Sequence, residues 1–211
     1  MKTAIITGAS SGIGLAAARV LAQSGFRVGL VSRRQEVLSE AESEIRDRGG
    51  QAWVKALDVR DEASVQEFVQ DALQRFGQID LLVNAAGIFR MAPLEETSRK
   101  FWDEHLSTNL TGAFTITKAV WPHITGGQII NISSIAGVKP FPGNAAYSAS
   151  KYGLIGLSEV LALEGKPRGI RVHVLCPGNP QTPAWGNQAP VEVQARMMRP
   201  EEVAEVVRWL A

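Results

Sequence analysis

Two side chains that could share a proton lie four positions apart near the middle of the chain. Tyr147 and Lys151 belong to the run YSASK, and residues at i and i+4 of a helix lie on one face, one turn apart. A phenol ionises near pH ~10, and an ammonium about 5 Å away, at an effective dielectric of about 20, favours the phenolate by about 3 kcal/mol. This interaction is expected to lower the pKa of Tyr147 by about two units, so that the phenol could exchange a proton near neutral pH.

Ser134 precedes this run and follows the apolar segment 128–133, QIINIS, which predicts a β-strand. In an open parallel sheet, ligands bind beyond the carboxyl ends of the strands. The hydroxyls of Ser134 and Tyr147 could therefore converge on one small polar group of a ligand. Because Tyr-x-x-x-Lys also arises by chance on solvated helix faces, this interpretation needs a second, independent signature.

That signature stands at the N-terminus, where a short apolar run leads into TGASSGIG at 7–14 and then into a helical pattern. Strand, glycine turn and helix are the context that a dinucleotide-binding fingerprint requires. Gly8 permits a tight turn, while Gly12 and Gly14 let the backbone approach phosphates closely. The N-terminus of the helix, with its unpaired N–H groups, then faces the pyrophosphate. Because glycines also serve ordinary turns, it is their position directly after the first strand that indicates a dinucleotide-binding turn.

The end of the second apolar run, FRVGLV at 26–31, indicates which dinucleotide is bound. An acidic residue at this point favours a free ribose 2′-hydroxyl, whereas an arginine accommodates a 2′-phosphate. The chain has Ser32, Arg33 and Arg34 here and no acid. The sequence therefore favours NADP(H), with Arg33 as the phosphate ligand and NAD(H) as the less favoured alternative. Arg34 equally well starts a charged surface helix.

Length and composition exclude several classes of protein. The chain has 211 residues, a formal net charge of +1 and one cysteine, which predicts one domain over 1–211 without a disulfide framework. No basic stripe predicts nucleic-acid binding, and no apolar run approaches the ~18 residues of a membrane span. No cleavable signal pattern is present, so we expect a cytoplasmic protein. The histidines lack the spacing of metal ligands, so no metal site is expected; they are His105, His123 and His173.

Strand and helix patterns alternate six times along the chain, which predicts an α/β fold with a doubly wound parallel sheet. Right-handed crossovers, with a reversal after the third strand, give the Rossmann-like order 3-2-1-4-5-6. A long helix is expected from Thr97 or Ser98 to about Trp121. It contains Asn109, an amide on an otherwise apolar inner face that needs hydrogen-bond partners.

Seven motifs occur in a fixed order along the chain: TGASSGIG at 7–14, Asp58-Val59, NAAG at 84–87, Asn109, Ser134, Tyr147-x-x-x-Lys151, and Pro177-Gly178 followed by Thr182. In this order and spacing they resemble the single-domain short-chain dehydrogenase/reductase family. The resemblance covers nearly the whole chain, and the set is specific although each motif alone is weak.

The resemblance implies an NADP(H)-dependent oxidoreductase that interconverts a carbonyl and a secondary alcohol of a small molecule by hydride transfer. Ser134 corresponds to the residue that binds the carbonyl oxygen, and Tyr147 to the general acid and base. Lys151 corresponds to the residue that lowers the phenol pKa and binds ribose hydroxyls. Asn109 corresponds to the fourth catalytic member, which anchors a water chain.

The resemblance also implies the cofactor contacts and the assembly. Subunits of many relatives pair through the two long helices, so a homodimer or homotetramer is expected, with no nucleic-acid or membrane partner. The residues expected to bind the cofactor are Gly8, Ser10, Gly12, Ile13, Gly14, Arg33, Asp58, Val59, Asn84, Gly87, Tyr147, Lys151, Pro177, Gly178 and Thr182.

Three features depart from the family pattern. Pro180 stands where members usually have Val or Ile, the substrate loop from Ala184 to Arg199 is short, and the final family strand is expected to be absent from a sequence that stops at Ala211, either a shortened chain or a compact variant. These departures leave open a second function: a cofactor-binding scaffold or regulatory protein with little or no turnover.

Four apolar side chains fall on loops at the expected mouth of the pocket. They fit an apolar substrate wall and equally fit ordinary anchoring of loops. They are Phe89, Met91, Phe141 and Trp185.

Overall fold

The computed structural model describes residues 1–185 and 197–211 and contains one parallel β-sheet between helices. The strand order is β3-β2-β1-β4-β5-β6 with every neighbouring pair parallel, which confirms the predicted sheet. The strands are β1 (Thr3–Thr7), β2 (Arg27–Ser32), β3 (Gln51–Ala56), β4 (Leu81–Asn84), β5 (Gln128–Ile132) and β6 (Arg171–Leu175).

Helices follow the strands and cover both faces of the sheet. No helix in the described part of the chain is long and apolar enough to cross a membrane. The α-helices are α1 (Gly12–Gln23), α2 (Gln35–Asp47), α3 (Glu62–Phe76), α4 (Arg99–Leu106), α5 (Gly112–Val120), α6 (Ala145–Gly165) and α7 (Pro200–Leu210).

The central strands β1, β4 and β5 are buried along their whole length because helices cover both faces of the sheet, whereas the edge strands β3 and β6 are partly exposed. Alternate residues of β1 show the two layers. Ile6 packs into a cluster with side chains of α1, α2 and α7, whereas Ile5 packs into a second cluster with side chains of α3 and α5. The parallel strands thus form a rigid middle layer whose carboxyl ends share one edge.

The long helix expected around Asn109 is confirmed, since helical residues continue from Arg99 to Val120, but it contains a π-helical turn that the sequence analysis did not predict. The helix begins as expected after Ser98, whose hydroxyl accepts a hydrogen bond from the backbone N–H of Phe101 at 3.1 Å. A π-helical turn, Ser107–Thr111, then separates α4 from α5. Turns of this kind occur mostly as single insertions inside α-helices and frequently at functional sites. Here the turn contains Asn109, whose amide bonds to neighbouring segments as described below.

The topological switch point lies where β1 pairs with β2 on one side and β4 on the other. Thr7, the last residue of β1, accepts hydrogen bonds at its hydroxyl from the backbone N–H groups of Ala85 and Ala86, both at 3.1 Å. Gly8 has a positive φ of 67°, and a Cβ added to it would lie 2.6 Å from the carbonyl oxygen of Ala85. Only glycine therefore lets the loops after β1 and β4 meet this closely.

Replacing Gly14 by alanine is expected to destabilise the protein by about 2 kcal/mol or more, because overpacking against fixed backbone forces the chain to shift. The Cβ of an alanine at position 14 would lie 2.5 Å from the carbonyl oxygen of Gly8. The matched control is Gly156→Ala in α6, where nothing lies within 4 Å of the new Cβ and a gain of up to ~1 kcal/mol in helix propensity is expected. Urea denaturation of both variants measures the difference, and equal stabilities would contradict the close-approach argument.

Candidate active site

A cavity of about 670 Å³ lies along the edge where the strands end. It extends from the end of β2 to the loop that follows β6. Asn84 and Asn109 are buried and do not line it. The sequence-predicted site residues that do line it are Gly8, Ser10, Gly12, Ile13, Gly14, Arg33, Asp58, Val59, Gly87, Ser134, Tyr147, Lys151, Pro177, Gly178 and Thr182.

The glycine turn and the start of α1 form a cradle suited to phosphate. The hydroxyl of the N-cap residue Ser11 makes no capping hydrogen bond, and the first turn of α1 contains no acid. The first N–H groups of a helix have no partner within the helix and carry a partial positive charge, so they favour an anion. A Cβ on Gly12 would lie 2.9 Å from the methyl carbon of Thr182, which shows how closely the loop after β6 approaches this turn. These residues fit the pyrophosphate of a dinucleotide.

The two arginines after β2 occupy different positions. The Arg34 guanidinium donates to the Ser10 hydroxyl at 2.9 and 3.3 Å and to the Ser10 carbonyl at 3.1 Å. Arg33 is exposed on the same cavity wall, and its charge contributes to lowering the pKa of Asp58. The sequence did not decide whether Arg34 binds phosphate or starts a surface helix, whereas the structure places its guanidinium against the glycine turn. Two positive groups and a hydroxyl thus meet at this end of the cavity.

Asp58 carries a contact that the sequence analysis missed. Arg60 donates to its two carboxylate oxygens at 2.9 and 2.6 Å. This hydrogen bonding, more than the attraction of the nearby arginine charges, holds the pKa of Asp58 below its usual range against the opposing effect of burial. The sequence did contain a signal for this pair, because an acidic and a basic residue stand two positions apart after β3. The pairing with Arg60 keeps the Asp58 carboxylate ionised at the cavity wall.

Asn84 lies beneath the cavity, in a buried polar network. Its amide nitrogen donates to the Asn131 side-chain oxygen at 2.8 Å and to the Thr117 hydroxyl at 3.0 Å. Asn131 in turn donates to the Ser158 hydroxyl at 2.7 Å, which links β4, β5 and α6. Asn84 is therefore placed to fix the strand ends below the cofactor region, while its predicted cofactor contact stays a prediction.

Ser134, Tyr147 and Lys151 come together at the end of β5. The Ser134 side chain hydrogen-bonds with that of Tyr147 and accepts from the backbone N–H of Ala136 at 3.1 Å. The Lys151 ammonium donates to the Ile132 carbonyl at 2.8 Å and lies 5.8 Å from the centre of the Tyr147 ring. Both side chains thus lie on one face of α6, as their spacing predicts, and they face the end of the strand that carries Ser134.

The electrostatic expectation for this group was wrong in direction. Burial raises the pKa of Tyr147 above that of a free phenol, and the hydrogen bond from Ser134 only partly opposes this effect. Burial also lowers the pKa of Lys151 to about 8, with the Cys176 thiol opposing the change. The sequence estimate counted only the attraction of a charged ammonium for the phenolate, but desolvation disfavours phenolate and ammonium alike. The protein by itself therefore keeps Tyr147 as a neutral phenol.

Asn109 acts through the loop that follows β4. Its side-chain oxygen accepts from the Ile88 N–H at 2.7 Å, and its amide nitrogen donates to the Ile88 carbonyl at 3.0 Å and to the Ser150 hydroxyl at 3.0 Å. Ser150 donates onward to the Tyr147 carbonyl at 2.7 Å. The loop after β4 and helix α6 thus supply the hydrogen-bond partners that the buried Asn109 amide requires. Through these bonds Asn109 connects the loop and α6 to the π-helical turn.

His105 lies behind the cavity wall, although the sequence analysis noted only that it lacks the spacing of a metal ligand. It is fully buried, one turn before Asn109, and its Nδ1 lies 2.8 Å from the Phe101 carbonyl. Its Nε2 accepts from the Arg90 N–H at 3.3 Å, in the same loop that Asn109 holds. The i, i+4 spacing of His105 and Asn109 was the available signal, because it places both polar groups on one helix face.

The apolar residues expected at the pocket mouth line the cavity. The Phe89 ring packs edge-on against Tyr147 with 4.7 Å between centres, and against Trp185 with 4.8 Å. Trp185 also donates to the Pro180 carbonyl at 3.1 Å. Residues 186–196 of the short substrate loop lie outside the described part of the chain. Before and after them, Gln181 and Met198 are paired through a backbone hydrogen bond of 2.8 Å.

Comparison with known proteins places this geometry in a family. The family profile described as short chain dehydrogenase matches residues 2–192. The chain is 36% identical over 222 residues to a 3-oxoacyl-[acyl-carrier-protein] reductase of Thermotoga maritima, covering all of this chain and 90% of that protein. It is 41% identical over 180 residues to a D-threitol dehydrogenase of Mycolicibacterium smegmatis, covering 83% of this chain and 69% of the relative.

Solved structures agree with the sequence relatives. The alcohol dehydrogenase of the archaeon Thermococcus sibiricus, complexed with 5-hydroxy-NADP, superposes with a TM-score of 0.91 at 33% identity, covering 100% of this chain and 90% of that one. Oxidoreductase relatives and the fit of the glycine turn to a dinucleotide support the use of a nicotinamide cofactor. By its profile match, its relatives and its strand order, this chain belongs to the short-chain dehydrogenase/reductase family of oxidoreductases.

Proposed function

We propose that this protein interconverts a carbonyl and a secondary alcohol with NADP(H), using Tyr147 as the proton donor and acceptor. The observation that carries the proposal is the meeting of the Ser134 and Tyr147 side chains beside Lys151, in the cavity that begins at the glycine turn. The nicotinamide, when bound, supplies or accepts the hydride. The chain must then hold the oxygen of the substrate and move one proton.

Two hydroxyls perform these tasks in the proposal. The Ser134 hydroxyl donates a hydrogen bond to the substrate oxygen, and Tyr147 transfers its proton to that oxygen as negative charge develops. The raised pKa of Tyr147 keeps the phenol protonated at neutral pH, which suits carbonyl reduction. Alcohol oxidation needs the phenolate and is therefore favoured as pH rises.

Lys151 supplies the positive charge that limits the cost of forming phenolate in the buried site. Its ammonium is fixed by the Ile132 carbonyl, so it needs no rearrangement as charge develops on Tyr147. Because its pKa is lowered to about 8, this charge is present below that pH and is lost above it.

Replacing Tyr147 by phenylalanine is expected to lower kcat/KM for carbonyl reduction by about 10³-fold, because the variant lacks the transferable proton. The affinity for NADPH should stay within about threefold, since the ring and its contacts remain. Tyr152→Phe is the matched control: it is the other tyrosine of the chain, exposed on α6, and it should retain wild-type activity. Steady-state rates and NADPH fluorescence titration measure both quantities; retained turnover in the Tyr147 variant would remove Tyr147 from the mechanism.

The preference for NADP(H) over NAD(H) is also proposed. Arg33, Arg34 and Ser10 present two cations and a hydroxyl at the end of the cavity nearest β2. A 2′-phosphate would find charge-assisted donors there, whereas the acid that would bind a 2′-hydroxyl is absent from positions 32–34.

Alanine at Arg33 or at Arg34 is expected to weaken NADPH binding by about 10-fold or more, since a hydrogen bond to a charged group contributes about 1.5–3 kcal/mol. The affinity for NADH should change by less than about threefold, because NADH lacks the phosphate. Arg75→Ala in α3, which removes an arginine paired with Asp71, serves as the control for charge alone. Equal losses for both cofactors would contradict the phosphate assignment.

We also propose that the chain forms a homo-oligomer through the outer faces of α5 and α6. Phe114 on α5 and Tyr152, Val160 and Leu163 on α6 expose between 43% and 75% of their surface. Leu161, on the same helix, is buried and does not belong to this face.

A further inference from the structure

The substrate end of the cavity differs in charge from the cofactor end. Four described lining residues are charged: Arg33, Arg34, Asp58 and Lys151. The first three lie after β2 and β3, at the adenosine end. Lys151 is 5% exposed and its ammonium is bonded to the Ile132 carbonyl. In the described part of the chain, the wall around the Tyr147 hydroxyl therefore contains no charged side chain besides Lys151; Ser134 and the Asn144 amide are polar, and most of the other side chains are aromatic or aliphatic.

That wall is built from two sides. Phe89, Tyr147 and Trp185 form a continuous edge-to-face aromatic series, and Met91, Phe141 and Pro142 complete the lining. An ionised substrate group placed among these side chains would lose its hydration without a charged partner, which is strongly unfavourable. A hydrophobic group gains from burial here, and flat rings gain additional edge-to-face contact.

Two cations lie near this end but outside its lining. Arg90 pairs with Glu104 and stacks on Phe101, so its charge is already engaged. The Lys139 ammonium lies 5.8 Å from the centre of the Phe141 ring, at the rim. Lys139 is thus a cation at the rim of the described wall that could recruit an anionic substrate, and the test below includes it.

Resting on the proposed function, we propose that the substrate is an uncharged carbonyl compound, or the matching alcohol, that carries a bulky hydrophobic or cyclic group next to the reacting carbon. The aromatic series of Phe89, Tyr147 and Trp185 selects it by burying that group, and none of the described side chains around it offers a free charge to the carboxylate of a keto acid or the phosphate of a sugar phosphate.

A matched set of carbonyl compounds tests this proposal: cyclohexyl methyl ketone and acetophenone against pyruvate and dihydroxyacetone phosphate, with NADPH. We expect kcat/KM to be at least about 30-fold higher for the two uncharged ketones. Phe89→Ala should lower this advantage about 10-fold through KM, whereas the control Leu94→Ala, an exposed residue of the following turn, should not.

The outcomes separate the two proposals. Reduction of the anionic compounds as fast as the ketones, or an advantage that depends on Lys139→Ala rather than on Phe89→Ala, overturns the substrate assignment while leaving the oxidoreductase function intact. Absence of turnover for every carbonyl and alcohol, together with intact NADPH binding, overturns the proposed function itself.

A separate observation concerns the loop that carries Phe89. The helix α4 and the π-helical turn hold it on either side of Phe89: Asn109 binds both backbone groups of Ile88, and His105 accepts from the Arg90 N–H. Phe89 lies between these anchors, with its ring on Tyr147. The His105 ring itself lies 6.4 Å from the Tyr147 ring, edge-on. His105 thus contacts both the loop that carries Phe89, through Arg90, and the ring of the proposed proton donor Tyr147.

The two hydrogen bonds of the His105 ring require it to be neutral, with its proton on Nδ1. Nδ1 must donate to the Phe101 carbonyl, so Nε2 must be unprotonated to accept from Arg90. The charged or titratable groups facing the ring are Arg90 in the loop, Glu104 on α4 and Tyr147 on α6. Burial lowers the pKa of His105 and the Arg90 charge adds to this, against the opposing effects of the Phe101 carbonyl and Glu104.

We infer that neutral His105 is a positioning residue that holds the Phe89 loop against Tyr147, and that its protonation releases the loop and weakens substrate binding. Because its folded-state pKa lies below the ordinary value of about 6.5, the neutral form and the stability it contributes are complete above that pH. Both are lost as pH falls through the lowered pKa.

Two variants of His105 distinguish the effect of its hydrogen-bond acceptor from the effect of its ring shape. His105→Gln retains an oxygen acceptor that does not titrate, so KM at pH 8 should stay within about threefold of wild type and the acidic limb of kcat/KM should disappear. His105→Phe retains the ring but removes both hydrogen bonds, so KM should rise about 10-fold at every pH, with kcat changed by less than about threefold.

The matched control is His173→Gln on β6, whose pKa is also lowered by burial but which contacts Gln128 away from the loop. It should retain the wild-type acidic limb. Unfolding measured from pH 8 to 5 gives a readout independent of cofactor and substrate: the stability of wild type relative to His105→Gln should fall below pH ~6.5. An acidic limb that persists unchanged in both His105 variants, with wild-type KM, would falsify the positioning role.

Discussion

The hydrogen bond from the buried Lys151 ammonium to the Ile132 carbonyl is the contact on which the site depends. It ties α6 to the last residue of β5 and thereby sets Tyr147 beside Ser134. Burying the lysine lowers its pKa from 10.5 to about 8, so keeping it charged costs on the order of 3 kcal/mol at neutral pH. A cost of this size is tolerated because the same charge faces the phenol whose ionisation the proposed reaction requires.

The surrounding polar groups are arranged to keep this contact in place. Asn131 joins Ser158 of α6 to Asn84 of β4, and the Ser133 hydroxyl donates to the Lys151 carbonyl at 3.0 Å. A Cβ on Gly137 would lie 2.7 Å from the Ser133 hydroxyl and 3.0 Å from the Lys151 carbonyl, so the turn after Ser134 packs directly on α6. Buried networks of this kind stabilise one arrangement because each unpaired group would be costly.

The proposed carbonyl reduction needs both a proton donor and a place for the substrate, and the two are built by different segments. The donor depends on β5 and α6, whose contacts are local to the sheet edge. The substrate wall depends on the loop after β4, which α4 and its π-helical turn hold through His105 and Asn109. The two segments are in contact through the Phe89 ring and through Ser150, which receives a hydrogen bond from Asn109 and donates one to the Tyr147 carbonyl.

Local sequence rules predicted the sheet order, the glycine turn and the shared helix face of Tyr147 and Lys151, because periodicity, glycine and i, i+4 spacing act over a few residues. Three properties required the tertiary structure. The pKa of Tyr147 rises instead of falling because desolvation depends on what covers the phenol. The helix around Asn109 contains a π-turn because its partners lie on a distant loop and helix. His105 joins the site because a histidine acquires a defined tautomer and role only from the groups that fold against it.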